Sequence, residues 1–190
     1  MSSTPKDDKL PVAGAPGDKK LKVLIYNCGM LRLKLFGISM FTVFENPPYV
    51  SERFPHLAKA LRESGADVLL LQEVYETKHV LALVEALQDI YPYSNQRNTT
   101  LLINFTNGLL MFSKYPIIDA KVVVHKESAR LEYVMGSKSM QIAVIESPLG
   151  IMQLINMHTT AGGDMDPENP KVDSIRESEL VEAITGKCPP

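Results

Sequence analysis

Three polar residues each close an apolar run: Asn27 follows residues 21–26, Glu73 follows residues 68–72, and His158 follows residues 151–157. A carboxamide, a single carboxylate and an imidazole in one cleft suit a hard divalent cation together with a phosphate. Mg2+ prefers oxygen ligands, keeps several of its waters and is often held by only one or two carboxylates. Strand ends in α/β folds are where loops converge over a rigid sheet, which is why ligands gather there. Plainer readings stand beside these. A glutamate at a strand end is most often a solvated turn residue. An asparagine there tolerates left-handed backbone and hydrogen-bonds its own chain. A histidine is more often a packing or surface residue than a catalyst. His56, His79 and His125 have no comparable context and read as ordinary surface or packing residues. Gly162-Gly163 lacks a helix start directly after it and is too weak a signal for a phosphate cradle.

Positioning these three requires strands that end where they stand. Residues 21–26 (Leu-Lys-Val-Leu-Ile-Tyr) are β-branched and aromatic and run into Asn27, Cys28 and Gly29, a buried strand leaving through a polar turn. Val68-Leu69-Leu70-Leu71 is near-continuously apolar and suits a strand covered on both faces. Residues 108–112 read as a short strand, and 122–124 and 141–146 as further strands. Pro148-Leu149-Gly150 is a tight turn joining the last of these to residues 151–157 in a hairpin. Ser51 is placed to cap a helix on which Phe54, Leu57, Ala58 and Leu61 recur at helical spacing, ended by Gly65. Residues 80–90 form a second helix closed by Tyr91-Pro92. Residues 173–184 form a last amphipathic helix, with Ile175, Leu180 and Val181 near one face. Residues 30–45 are apolar but irregular, and Asn46-Pro47-Pro48 breaks the chain after them. Within this stretch Met30, Leu33, Leu35, Phe36, Met40 and Phe41 belong either to a packing loop beside the first strand or to a membrane-contact loop. Buried strands with surface helices imply sheets packed together with helices outside, and leave the topology open.

A length of 190 residues is enough for one domain with a real core. The net charge of −2 shows no basic excess, so charge gives no support to duplex binding and nucleic acid is the less favoured partner. Cys28 and Cys188 lie at opposite ends of the chain, without metal-ligand spacing or a disulfide framework, which points to a reduced compartment. Residues 1–20 lack the apolar run of a signal peptide and read as a disordered tail ahead of one domain, residues 21–190. The longest apolar stretch, residues 37–44, is far short of the about 20 residues that span a bilayer. The expected location is cytoplasmic, with peripheral contact to membranes.

Four phrases then carry a resemblance: Val23-Leu24-Ile25-Tyr26-Asn27; Ala66-Asp67-Val68-Leu69-Leu70-Leu71-Gln72-Glu73-Val74; Asn107-Gly108-Leu109-Leu110-Met111-Phe112-Ser113-Lys114-Tyr115-Pro116-Ile117; and Asn156-Met157-His158. In this order and spacing they resemble the successive signatures of the endonuclease/exonuclease/phosphatase (deoxyribonuclease-I-like) superfamily. His158-Thr159-Thr160-Ala161-Gly162-Gly163, with Asp166-Pro167, Ile175-Arg176-Glu177 and Asn46-Pro47-Pro48-Tyr49-Val50, resembles its neutral sphingomyelinase branch more than its nucleases. The resemblance implies an α/β (α+β) fold, a two-sheet β-sandwich flanked by helices. It implies Mg2+ bound through Glu73 with Asn27 orienting metal and phosphate, and His158 hydrogen-bonded to the scissile phosphate. The implied reaction is attack of an activated water on phosphorus. The implied substrate is a phospholipid of the sphingomyelin kind at a membrane surface. A nuclease of the same superfamily and a non-catalytic phospholipid- or metal-binding remnant are the alternatives.

The superfamily pattern is not complete here. A Gly-Asp-x-Asn motif and an Asp-His pair, which supply further phosphate contacts and the general base, do not occur in the 190 residues. Asp164 and Asp166 do not stand in for them, since they precede a helix rather than follow a strand. The expectation is a domain with an incomplete second half, exposed apolar faces and strand edges, and impaired turnover.

Overall fold

A computed structural model describes residues 19–34, 42–96, 106–125, 139–160 and 170–185. Among the described residues, nine strands and three helices follow in the order β1 (Val23–Asn27), β2 (Leu31–Lys34), β3 (Thr42–Asn46), α1 (Val50–Glu63), β4 (Val68–Gln72), α2 (Thr77–Leu87), β5 (Tyr93–Gln96), β6 (Leu110–Ser113), β7 (Ile117–Val124), β8 (Ser139–Ser147), β9 (Gly150–Met157) and α3 (Pro170–Thr185). Residues 1–18 of the expected tail and the loop holding Gly162-Gly163, Asp164 and Asp166 lie outside the described residues.

The central strand explains the architecture. β4 is buried along its whole length, and its alternating side chains serve two cores. Leu69 and Leu71, with Leu110 and Phe112 of β6, face α1 and α2 and pack with Leu61, Val80, Leu83, Leu87 and Tyr91. Val68 and Leu70, with Met111, face the other way and meet Ala143 and Ile145 of β8, flanked by Met152 and Leu154 of β9. A strand covered on both sides leaves no position for a solvated residue, hence its unbroken apolar run. Around it runs a four-stranded sheet, β1-β4-β6-β5, with β1 parallel to β4 and the other pairs antiparallel. The second sheet is the antiparallel β7-β8-β9, whose β8–β9 hairpin is the one expected from Pro148-Leu149-Gly150. The result is the expected two-sheet sandwich with flanking helices.

Several local expectations are corrected. The stretch read as irregular forms a third, two-stranded sheet, β2 paired antiparallel with β3. Met30, counted with the membrane-contact alternative, is fully buried in the helix-side core; residues 35–41 of that stretch lie outside the described residues. Ser51 does not cap α1. The cap position is Tyr49, in left-handed backbone and without a side-chain cap bond. Glu45 of β3 does the work instead, accepting the amide hydrogens of Tyr49 and Val50 at 3.2 and 3.0 Å. Its carboxylate also adds the negative charge a helix start favours. Ser51 is engaged from outside the helix by Arg32 Nη1 at 2.8 Å. Finally, α3 turns a different face inward: Ile175, Glu179 and Glu182 are buried while Leu180 and Val181 are exposed. The spacing 175, 179, 182 is a helical stripe, but two of its three members are carboxylates with specific partners.

Candidate functional site

The sandwich interior changes character along the strands. β1 and β4 pair Val23 with Val68, Ile25 with Leu70, and Asn27 with Gln72. β8 and β9 pair Ile145 with Met152, Ala143 with Leu154, and Gln141 with Asn156. Toward the ends of β4 and β9 the apolar layers therefore give way to a polar one, Gln72, Gln141 and Asn156, all buried. Asn27, Glu73 and His158 stand just beyond it.

These three residues are brought together. Asn27 Nδ2 donates to Glu73 Oε1 at 2.8 Å, and His158 Nε2 lies 3.6 Å from the same oxygen. Asn27 Oδ1 accepts the Gly29 amide hydrogen at 2.9 Å, so its carboxamide is held by its own turn and presents its N–H group to the carboxylate. The Glu73 side chain is 19% and that of His158 27% exposed. The site is thus a shallow opening at the strand ends rather than a sealed core.

Glu73 itself has φ +59°, the left-handed region that non-glycine residues rarely occupy. The surroundings over-determine this conformation. Met30 N–H donates to Glu73 O at 3.0 Å, Cys28 N–H to Gln72 O at 2.9 Å, and Val74 N–H to Gly108 O at 3.0 Å. Such strain costs about 1–3 kcal/mol and clusters where a side chain must be aimed out of its strand. Two glycines permit the loops around it. A Cβ on Gly108, at φ +79°, would sit 2.7 Å from the Tyr75 ring, and one on Gly29, at φ +56°, 2.8 Å from Pro47 Cδ.

Other residues that hold the site were not singled out from sequence. Arg53 of α1 donates to the carbonyls of Cys28, Gly29, Pro47 and Pro48 and so pins the turn after Asn27. On the other side, Glu179 of α3 accepts both the amide hydrogen and the hydroxyl of Thr160, at 2.9 and 2.7 Å. Arg176 Nε donates to Thr160 O at 2.8 Å. Thr160 is two residues beyond His158, so α3 fixes the chain where it leaves the site. Glu182 anchors the same helix to the end of β7 through His125 Nδ1 at 2.6 Å. His125 and His79 are buried, as packing residues, and His56 is exposed. Cys28 is no nucleophile: burial, with the nearby Glu73 charge adding to it and Arg53 opposing, pushes its thiol up to about 12.

Among the described residues no three His, Cys, Asp or Glu side chains are grouped for a metal ion. A Mg2+ site does not require such a group, since one carboxylate with several retained waters is a sufficient hard donor set. A carboxylate forced outward at the cost of backbone strain, with one edge hydrogen-bonded, fits that demand.

No family model matches the chain, and comparison with curated proteins finds no match. Solved structures do match. Sphingomyelinase C from Streptomyces griseocarneus superposes with a TM-score of 0.67 at 19% identity, covering 90% of this chain and 60% of that one. A doubly substituted β toxin from Staphylococcus aureus with bound magnesium ions gives 0.67 at 18% identity, over 90% and 60%. An endonuclease/exonuclease/phosphatase from Beutenbergia cavernae gives 0.59 at 17% identity, over 86% and 44%. The chain thus spans about 60% of the length of the first two.

Proposed function

We propose that this chain, which has the deoxyribonuclease-I-like fold shared by those proteins, carries part of the active site of a Mg2+-dependent phosphodiester hydrolase acting on a phospholipid of the sphingomyelin class. The observation that supports this is the meeting of Asn27, Glu73 and His158 at the open end of the sandwich, with Glu73 held in left-handed backbone. Glu73 is the residue that would hold the ion, with Asn27, whose Oδ1 is engaged by the Gly29 amide hydrogen, orienting that carboxylate. When bound, the ion supplies positive charge to the phosphoryl oxygens and the leaving group. His158 donates a ring N–H to a phosphoryl oxygen, where negative charge grows in the transition state. Asn27 keeps the Glu73 carboxylate turned toward the site. The polar layer beneath limits how far the residues can relax.

Turnover also needs a base to take the proton from water. No Gly-Asp-x-Asn or Asp-His sequence occurs in these 190 residues, so the proposal separates binding from hydrolysis. The chain is expected to bind Mg2+ and a phosphocholine head group, and to hydrolyse sphingomyelin weakly. The test is release of phosphocholine from sphingomyelin vesicles with Mg2+, alongside nicking of supercoiled DNA. Where turnover is measurable, Glu73→Ala abolishes it and His158→Ala lowers it by at least about a hundredfold. Nicking of DNA without phosphocholine release, lost in Glu73→Ala, supports the nuclease instead. Metal and head-group binding without turnover at any enzyme concentration supports a binding module.

A further inference from the structure

His158 and Glu73 belong to different sheets, so their separation depends on how one sheet lies on the other. Most of the contact between the sheets is apolar: Val68, Leu70 and Met111 against Ala143 and Ile145. Apolar packing is non-directional and sets area better than it sets register. Directional ties across the sheets include Gln141 Nε2 to Asn95 O and Asn107 Nδ2 to Ser139 Oγ, each at 2.8 Å, and the densest set lies at the ends of β4 and β9. Gln72 Nε2 donates to Asn156 Oδ1 at 2.6 Å. Asn156 Nδ2 donates to Leu71 O at 3.0 Å, with Leu110 O and Gln141 Oε1 at 3.4 and 3.3 Å. Asn156 is 1% exposed. It thus reaches from β9 onto the backbone of β4 and β6, one residue short of Gln72 and two short of Glu73. It precedes His158, the first residue beyond β9, by two residues.

We infer that the Gln72–Asn156 pair is the register key between the sheets, a positioning pair that sets the distance between Glu73 and His158. A slip along the strands would leave the Asn156 amide buried and unpaired, and a buried unsatisfied group is costly enough to exclude that arrangement. A purely apolar layer in place of the pair would let the sheets settle in several nearby registers with similar area buried. Only the purpose of the pair, serving a metal-and-phosphate site, rests on the proposed function; its geometric effect does not.

The experiment has two readouts on the whole chain. In the metal-free protein, cross-relaxation between the His158 ring protons and the Glu73 methylene protons reports their distance. Asn156→Leu removes the key, and Gln72→Met removes half of it with little change of volume, should the first variant fail to fold. In a variant whose β4–β6 amide pattern is intact, the cross-peak is expected to weaken severalfold. A wild-type cross-peak in either folded variant overturns the inference. The second readout is binding of Mn2+ and then of phosphocholine to the Mn2+-loaded chain. The variants are expected to keep Mn2+ affinity, since Asn27 and Glu73 share one sheet, and to lose phosphocholine affinity about tenfold, or 1.4 kcal/mol. Equal loss of both marks a merely structural role and overturns the inference. Absence of Mn2+ binding in the unsubstituted chain contradicts the proposed function, and the cross-peak then decides the register key by itself.

Discussion

At Glu73 the side chain and the backbone make opposite demands. The carboxylate belongs to the site, while its φ of +59° is a conformation only glycine adopts freely. Substitutions there therefore separate the two. Glu73→Ala loses the carboxylate and keeps the strain, whereas Glu73→Gly loses both. Glu73→Gly is expected to be more stable than Glu73→Ala by about 1 kcal/mol in urea denaturation, although both lack the carboxylate proposed to hold the ion. Equal stabilities would mean that the turn relaxes once the side chain is gone. The residue types of the site were legible in the sequence because each closes an apolar run. The left-handed turn was not, since a strand-end pattern carries no sign of φ. Gln72 and Asn156 left a fainter trace: each falls at an inward position of its strand, where the alternation calls for an apolar residue.

Elements were legible where one pattern had one cause. The apolar run of β4 is such a case, because both of its faces are covered. Leu71→Ala is expected to cost about 2–5 kcal/mol of stability, as for other buried leucines, measured by thermal or chemical unfolding. Patterns failed where a distant partner decided the outcome. The face of α3 is chosen by Thr160 and His125, which bind Glu179 and Glu182. The start of α1 is capped instead by a near neighbour, Glu45 of β3. A long-range tie like those of α3 joins the starts of β1 and β4 and the end of β6 through Asp67. Its carboxylate accepts the Lys22 amide hydrogen at 2.9 Å and Lys114 Nζ at 3.1 Å. Burial raises the Asp67 pKa, but these hydrogen bonds and the two lysine charges outweigh it and hold it below the ordinary value. A depressed carboxylate stabilises the fold above its unfolded pKa, and that contribution disappears as pH falls through the folded value. Asp67→Asn is expected to flatten the acid limb of the stability profile below about pH 4, and to cost about 1–2 kcal/mol near neutrality. An unchanged acid limb would contradict the assignment.

Over the whole molecule, buried strands with surface helices implied packed sheets with helices outside, the resemblance implied that the sheets were two, and the pattern left the order of the strands open. One feature of the assembly bears on handling. Val23 and Ile25 share the inner face of the first sheet with Val68 and Leu70 but extend beyond the second sheet, Ile25 being 67% exposed. On the far side of β1 no described strand pairs with it. An apolar strip on an unpaired edge invites association. Ile25→Lys is expected to reduce concentration-dependent self-association in sedimentation and to lower binding of an apolar dye. If neither changes, this strip does not govern the solution behaviour. Among the described residues no helix is long and apolar enough to cross a membrane.

Everything proposed for the reaction depends on Glu73 holding a divalent ion, and calorimetric titration of the chain with Mg2+ tests that most directly. Saturable binding is expected, weakening at least about tenfold, or 1.4 kcal/mol, in Glu73→Gln, with the fold retained by circular dichroism. Equal affinity in the substituted chain, or no saturable binding in the original, would contradict that role of Glu73.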